Sequence, residues 1–235
     1  MVVDIFSIVP AIYLQVFTIL MILFVIVGML YDFIGGKKLE YTIRDRKARG
    51  AKGFDIKAAL NAIFIDIATS AQFSKCSVQR RASHLLMMWG FIISIVVLFI
   101  ETFVTSLASS LSIYYYSLQA LLLICWVMLL VGALWFLPQR ANVRVDGDPV
   151  YKLRRADIFV LNVMVYAVLG VALLWSINSG LLIASEVILA AFLSSIAFLF
   201  ISVPWTKFPH MFYKAGLIIQ DKMEKGKVES RLPGE

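Results

Sequence analysis

The chain has 235 residues, of which 61% are hydrophobic, with a mean hydropathy of +0.87 and a formal net charge of +7. A soluble domain is about 45–50% apolar, so too few polar residues remain to cover a water-soluble core. The basic residues form no domain of their own, which excludes the nucleic-acid reading and leaves membrane topology as the source of the charge.

Five continuous apolar stretches fall at about residues 11–30, 83–104, 112–137, 158–177 and 181–203. Each is about 20 residues or longer, enough to cross a hydrocarbon core of about 30 Å as a helix. They are unbroken rather than alternating, which excludes a transmembrane β-barrel. The fold class that follows is an all-α integral membrane protein, one domain over residues 1–235, built as a bundle of five transmembrane helices. The first stretch has Asp4 before it, no basic n-region, and Gly35, Gly36, Lys37 and Lys38 after it. It is read as a retained span rather than a signal peptide.

All 22 Lys and Arg residues fall in the segments 31–82 and 138–157 and in the tail after 203. Successive segments lie on alternate sides, so the whole basic complement lies on one side. Basic loops stay in the cytoplasm, which predicts an N-terminus outside, a C-terminus inside, and a multi-pass protein of the plasma membrane. Within 31–82, residues 55–73 carry apolar positions Ile56, Ala59, Leu60, Ile63, Phe64 and Ile67 at helical spacing. Asp55, Lys57 and Asp66 interrupt the run, and the expectation is an amphipathic helix on the inner surface, resting on lipid or docking a cytoplasmic subunit. Asp146, Gly147, Asp148 and Pro149 form a turn signature in the second inner segment. The outer loops, about 105–111 and 178–180, are minimal. Glu101 and Glu186 lie near the outer ends of the second and fifth spans, readable as a facing pair on a proton path or as carboxylates reaching the outer interface.

Cys76 lies in a predicted inner segment and Cys125 in the middle of the third span. With no Cys-x-x-Cys, the two cysteines and two histidines make neither an iron–sulfur cluster nor a structural zinc site. The histidines are the more informative pair. His84 opens the second span and His210 follows the fifth, so both fall near the inner boundary. Two imidazoles on different helices at one depth are what a six-coordinate haem requires. Arg80 and Arg81 lie one turn before His84, and Lys214 one turn after His210, placed to neutralise propionates at the water boundary. Gly90 offers close approach to a ring or a helix. Composition and spacing alone leave ordinary interfacial histidines open as the alternative.

Two motifs carry a resemblance. Residues 66–91 (DIATSAQFSKCSVQRRASHLLMMWGF) and 204–210 (PWTKFPH) resemble the entry to helix two and the exit from helix five in the superfamily of respiratory nitrate reductase gamma subunits. That superfamily of membrane cytochromes b includes heterodisulfide reductase cytochrome subunits and iron–sulfur oxidoreductase-associated members. The resemblance implies that His84 and His210 ligate one haem b nearer the cytoplasm. Two-haem members carry a second pair further out, and here those positions are Ser94 and Phe192, neither a usual ligand. The outer haem is therefore expected to be absent.

The function expected from the resemblance is a membrane-anchor cytochrome b subunit. It would pass electrons between a cytoplasmic iron–sulfur or flavoprotein partner and membrane quinone, with Trp89, Trp205, Lys207 and Tyr213 as candidates for the quinone pocket; packing or interfacial anchoring is the favoured alternative for the aromatics among them. The chain itself carries no nucleotide fingerprint, phosphate loop or catalytic triad, so no substrate-oxidising site is expected in it. The alternative is a haem-free membrane anchor or assembly subunit that docks a cytoplasmic enzyme. A small transporter is disfavoured by the absence of paired broken spans and by sparse intramembrane charge.

Overall fold

A computed structural model describes residues 5–35, 57, 69, 77–104, 112–154 and 157–205. Among them the chain is all helix, without strands. Five helices are long and apolar enough to cross a membrane. We label them α1 (Ala11–Gly35), α2 (Val78–Phe103), α3 (Ser112–Phe136), α4 (Ile158–Asn178) and α5 (Leu182–Ile201). Apart from Lys57 and Thr69, the segment expected to form the amphipathic inner helix lies outside the described residues, as do His210 and Lys214.

The five predicted spans are all present, and two boundaries move by five residues: α1 runs on from residue 30 to Gly35, and the start of α2 moves back. α2 begins at Val78 behind an extended Ser77, five residues before the apolar stretch. A helix does not end where its hydrocarbon face ends, and Arg80 and Arg81 are good helix formers. Its first turn therefore runs on past the apolar stretch, and His84 sits in the second turn rather than at the opening.

The helices run antiparallel in sequence around a closed ring. α2 packs on α3, α3 on α4, α4 on α5, α5 on α1, and α1 more lightly on α2. In hydrocarbon no hydrophobic force draws helices together, so close approach relies on small residues. A Cβ on Gly132 would lie 2.9 Å from the Ser83 carbonyl oxygen and from the backbone nitrogen of Met87, and one on Gly90 would lie 2.8 Å from the Cys125 carbonyl oxygen. α2 and α3 thus touch backbone to backbone at two levels. α4 and α5 form a hairpin closed by Gly180 at φ +71°. The Leu181 N–H donates to the Ser176 carbonyl and the Gly180 N–H to the Ile177 carbonyl. This is a Schellman ending, which a left-handed glycine makes cheap. The Ser185 hydroxyl meets that of Ser176 at 3.0 Å, and the Asn162 amide donates to the Ser195 carbonyl at 3.1 Å.

The centre is aromatic. Tyr166 of α4 is fully buried, with Trp126 of α3, Phe192 of α5 and Phe91 of α2 around it. Tyr166 stacks on Phe192 with ring centroids 5.2 Å apart, and Trp126 meets both edge-on at 6.2 and 5.7 Å. The Tyr166 hydroxyl donates to Ser94 Oγ at 3.1 Å, and Ser94 donates on to the Phe91 carbonyl. Gly170 makes room for the indole: a Cβ there would sit 2.4 Å from Trp126 Cε2. α1 is the least enclosed span. Its buried positions are Leu14, Met21 and Gly28, one narrow stripe at seven-residue spacing.

Gly170→Leu is expected to prevent assembly of a monodisperse bundle, because neither the indole nor the α4 backbone can retreat. Tyr166→Phe, which deletes only the hydroxyl, should cost about 0.6 kcal/mol, the average for a hydrogen bond between membrane helices. Tyr166→Ala should cost about 3–5 kcal/mol, the range for emptying a buried aromatic position. Thermal unfolding of the three variants in one detergent measures the ranking.

Candidate functional site at the basic end of the bundle

Alternating helix directions gather one set of ends together: the start of α2, the end of α3, the start of α4 and the end of α5. Arg80, Arg81, Arg140, Arg144, Lys152 and Arg154 all belong to this end. The opposite end holds Glu101 and Glu186. These two do not share an environment: Glu101 is buried within the bundle, and Glu186 is exposed beside the buried Ser185. One helical position turns a side chain by about 100°, enough to move it from the inside to the lipid side.

His84 is partly buried on the second turn of α2, next to the fully buried Ser83, whose hydroxyl donates to the Arg80 carbonyl at 3.1 Å. Arg80 and Arg81 are partly buried one turn earlier, and Arg81 Nε donates to the Thr69 carbonyl at 2.9 Å. α2 and α5, the helices that lead to the two histidines, each pack chiefly on another helix, α2 on α3 and α5 on α4. Tyr166 bridges them at mid-depth, and α1 lies between them at the rim. Gly90 does not open onto this interval, since its close approach is spent on α3. Trp89 is 37% exposed and Trp205 66%. Lys207 and Tyr213 lie outside the described residues. Among the described residues no cluster of three or more His, Cys, Asp or Glu is placed to hold a metal ion. A haem iron needs only two protein ligands, and of the expected pair the described residues include His84.

Sequence reasoning missed the polar clasp beside this site. After α3 the chain makes a 3-10 turn, Leu137–Gln139, and a short helix, Ala141–Arg144. Arg140, buried, forms an ion pair with Asp157, the residue that precedes α4, and also donates to the carbonyls of Leu137 and Val150. A cation thus sits at the negative end of α3 and an anion at the positive end of α4, each favoured by the helix dipole beside it. Asp157 further accepts from the Arg154 N–H at 2.9 Å. The Gln139 amide donates to the Trp135 carbonyl, one of the carbonyls left over at the end of α3. Opposite charges at the two ends of one interhelical segment were the available signal.

Above the clasp a second network braces the turn. Arg154 reaches Asp146 and Asp148, each at 2.8 Å, and Lys152 reaches Asp148 at 2.8 Å. Gly147, at φ +70°, lets the turn close between the two aspartates. Hydrogen bonds from Lys152 and then Arg154 hold the Asp148 carboxyl below the usual aspartate range, and Asp148 and Asp146 in turn raise the Arg154 guanidinium.

Comparison with protein-family models, with curated proteins and with solved structures finds no match to this chain.

Two outcomes test the clasp. Arg140→Ala or Asp157→Ala should each cost about 3–5 kcal/mol, because one buried charge is left uncompensated, whereas replacing both partners with apolar residues of similar volume should cost far less. Thermal unfolding of the two single variants and the double variant reads the difference. For the upper network, a depressed carboxyl contributes stability above its unfolded value, about 3.9, and loses it as pH falls through the lower folded value. Hydrogen-exchange protection of residues 144–154, taken relative to the intrinsic rate at each pH, should therefore fall only below about pH 3.9, and Asp148→Asn should show the lowered protection already at neutral pH.

Proposed function

We propose that this chain is the membrane-anchor cytochrome b subunit of a respiratory oxidoreductase complex. It would lie in the plasma membrane with its basic end in the cytoplasm, and would belong with the nitrate reductase gamma subunit-like cytochromes that its motifs resemble. His84 and His210 would hold one haem b, with Arg80, Arg81 and Lys214 beside its propionates. When bound, the haem supplies the one-electron chemistry, and the chain supplies ligation, orientation and burial. A cytoplasmic iron–sulfur or flavoprotein partner would exchange electrons with it on one side. Membrane quinone would do so on the other, near Trp89, Trp205, Lys207 and Tyr213.

The observation that carries this reading is the position of His84. It is partly buried, one turn inside an arginine pair, and at the end of the bundle where the basic residues gather. One haem rather than two is supported by the packing further out. Ser94 accepts the Tyr166 hydroxyl and Phe192 stacks on the same ring, so the volume between those positions is already filled.

His84→Ala is expected to abolish bound haem while the protein stays monodisperse, and Ser94→Ala to leave haem content unchanged at about one per chain. The pyridine haemochrome assay on protein purified from haem-supplemented cells measures both. A colourless wild-type preparation would leave the haem-free anchor as the function; two haems per chain would mean that a second ligand pair exists.

A further inference from the structure

Seven residues of α-helix advance about 10 Å and return to within about 20° of the same face. Seven residues from the aromatic centre, counted away from the basic end, lead from Ser94 to Glu101 on α2 and from Trp126 to Gln119 on α3. They lead from Tyr166 to Leu173 on α4 and from Phe192 to Ser185 on α5. All four are buried, with exposures of 7%, 7%, 3% and 0%. The four starting residues are linked by contacts across the bundle, so the four reached from them share one layer, two turns nearer the far end. Ser176, also fully buried, joins that layer with its hydroxyl 3.0 Å from that of Ser185. On the α1 side, Gln15 donates to the carbonyl of Thr102, beside Glu101, at 3.3 Å. A carboxyl, an amide and two hydroxyls from four helices are thus enclosed at one depth of an apolar bundle.

The layer is rich in acceptors. The Ser176 hydroxyl gives its hydrogen to the Leu173 carbonyl, and the Ser185 hydroxyl gives its own to the Leu181 carbonyl or to Ser176. Both serine oxygens keep lone pairs, and the Gln119 amide oxygen adds another acceptor. An ionised Glu101 would add acceptors only, and a buried ion needs a counter-charge. All 22 Lys and Arg belong to segments that leave the bundle at the basic end. The titratable side chains described near this end, Tyr13, Tyr116 and Glu186, are exposed. A neutral carboxylic acid removes the charge and supplies an O–H donor to the acceptors. One proton answers both requirements.

We propose that Glu101 is a proton-binding site within the membrane. At neutral pH its carboxyl holds a proton and donates it to an acceptor oxygen of the layer formed with Gln119, Ser176 and Ser185. Glu101 is two residues short of the end of α2, so water at that end is the source and sink of the proton. Toward the basic end, the packed rings of Trp126, Tyr166 and Phe192 lie in the way. An ionisable side chain enclosed in a membrane bundle is where proton exchange is expected. The proposal rests on burial and helical register and does not depend on haem.

Infrared spectroscopy tests it, because every carboxyl gives either the carbonyl band of an acid or the bands of a carboxylate. The protein is reconstituted in vesicles of ether-linked phosphatidylcholine, which has no ester carbonyl to overlap the acid band. At neutral pH, where exposed carboxyls are ionised, the wild type should show an acid band. Glutamate labelled with carbon-13 at the side-chain carboxyl should shift that band, Glu101→Gln should delete it, and Glu186→Gln should leave it in place. Raising the pH should convert the band reversibly to carboxylate. A wild type without the band, a band that survives in Glu101→Gln, or a band that no pH rise removes before the bundle unfolds would each overturn the proposal. Should Glu101→Gln fail to assemble, Glu101→Asp keeps the acid. The band should then persist but no longer respond to the glutamate label, and a band that still responds would overturn the proposal equally.

Discussion

Most of this bundle depends on the contact between the Trp126 indole and Gly170. Lipid tails are as apolar as the helix surfaces, so burial of leucine against leucine gains little in a membrane. Shape has to supply what the hydrophobic effect does not. The missing side chain at Gly170 lets the indole lie against α4. That placement sets the indole edge-on to Tyr166 and Phe192. Tyr166 in turn reaches Ser94 on α2, so one ring position on α4 is coupled to α2, α3 and α5 together. The glycines of α2 and α3 act in the same sense, admitting backbone to within contact distance.

Polar groups are disposed by a second constraint. An ion in hydrocarbon is costly, and a helix end in hydrocarbon leaves unsatisfied carbonyls or N–H groups. The segment between α3 and α4 answers both with one pair. Arg140 covers the Leu137 carbonyl just past α3, Asp157 gathers donors at the start of α4, and the two neutralise each other. The turn beyond them is neutralised again by Lys152 and Arg154. The segment between α3 and α4 is therefore a built piece of structure and not a tether, although it has the composition of a loop.

How far the sequence reveals this depends on which physical signal each feature leaves. The spans were legible because twenty apolar residues in a row have one explanation. The start of α2 was not, since Val78–Arg81 is helix outside the hydrocarbon and hydropathy is silent there. Which side of each span faces inward was illegible too. Phe192 and Phe198 read alike in an all-apolar helix, yet one is buried and the other half exposed. Only residues with a reason to be enclosed, such as Gly170, Tyr166 and Ser94, mark the inner side, and they are few. Glu101 and Glu186 share depth but not direction, because hydropathy reports depth alone. Of the haem-binding residues expected from the motifs, His84, Arg80 and Arg81 fall together at one helix start. Gly90 belongs to helix packing instead.

The two constraints bear jointly on the proposed electron transfer. Chemistry-bearing side chains collect at the basic end, while the mid-depth of the bundle is closed by Trp126, Tyr166, Phe192 and Phe91 packed without a ligand among them. A haem held at His84 would exchange electrons with a partner and a quinone on the same side. No second centre would stand at Ser94 and Phe192 to carry charge to the outer face. On that reading the fold would separate its roles by depth: the aromatic core holds the helices in register, and the clasped basic end would present the proposed redox group. Electron exchange without charge crossing the membrane is what such a division implies, since the residues that would make it electrogenic are the ones used to hold the bundle together.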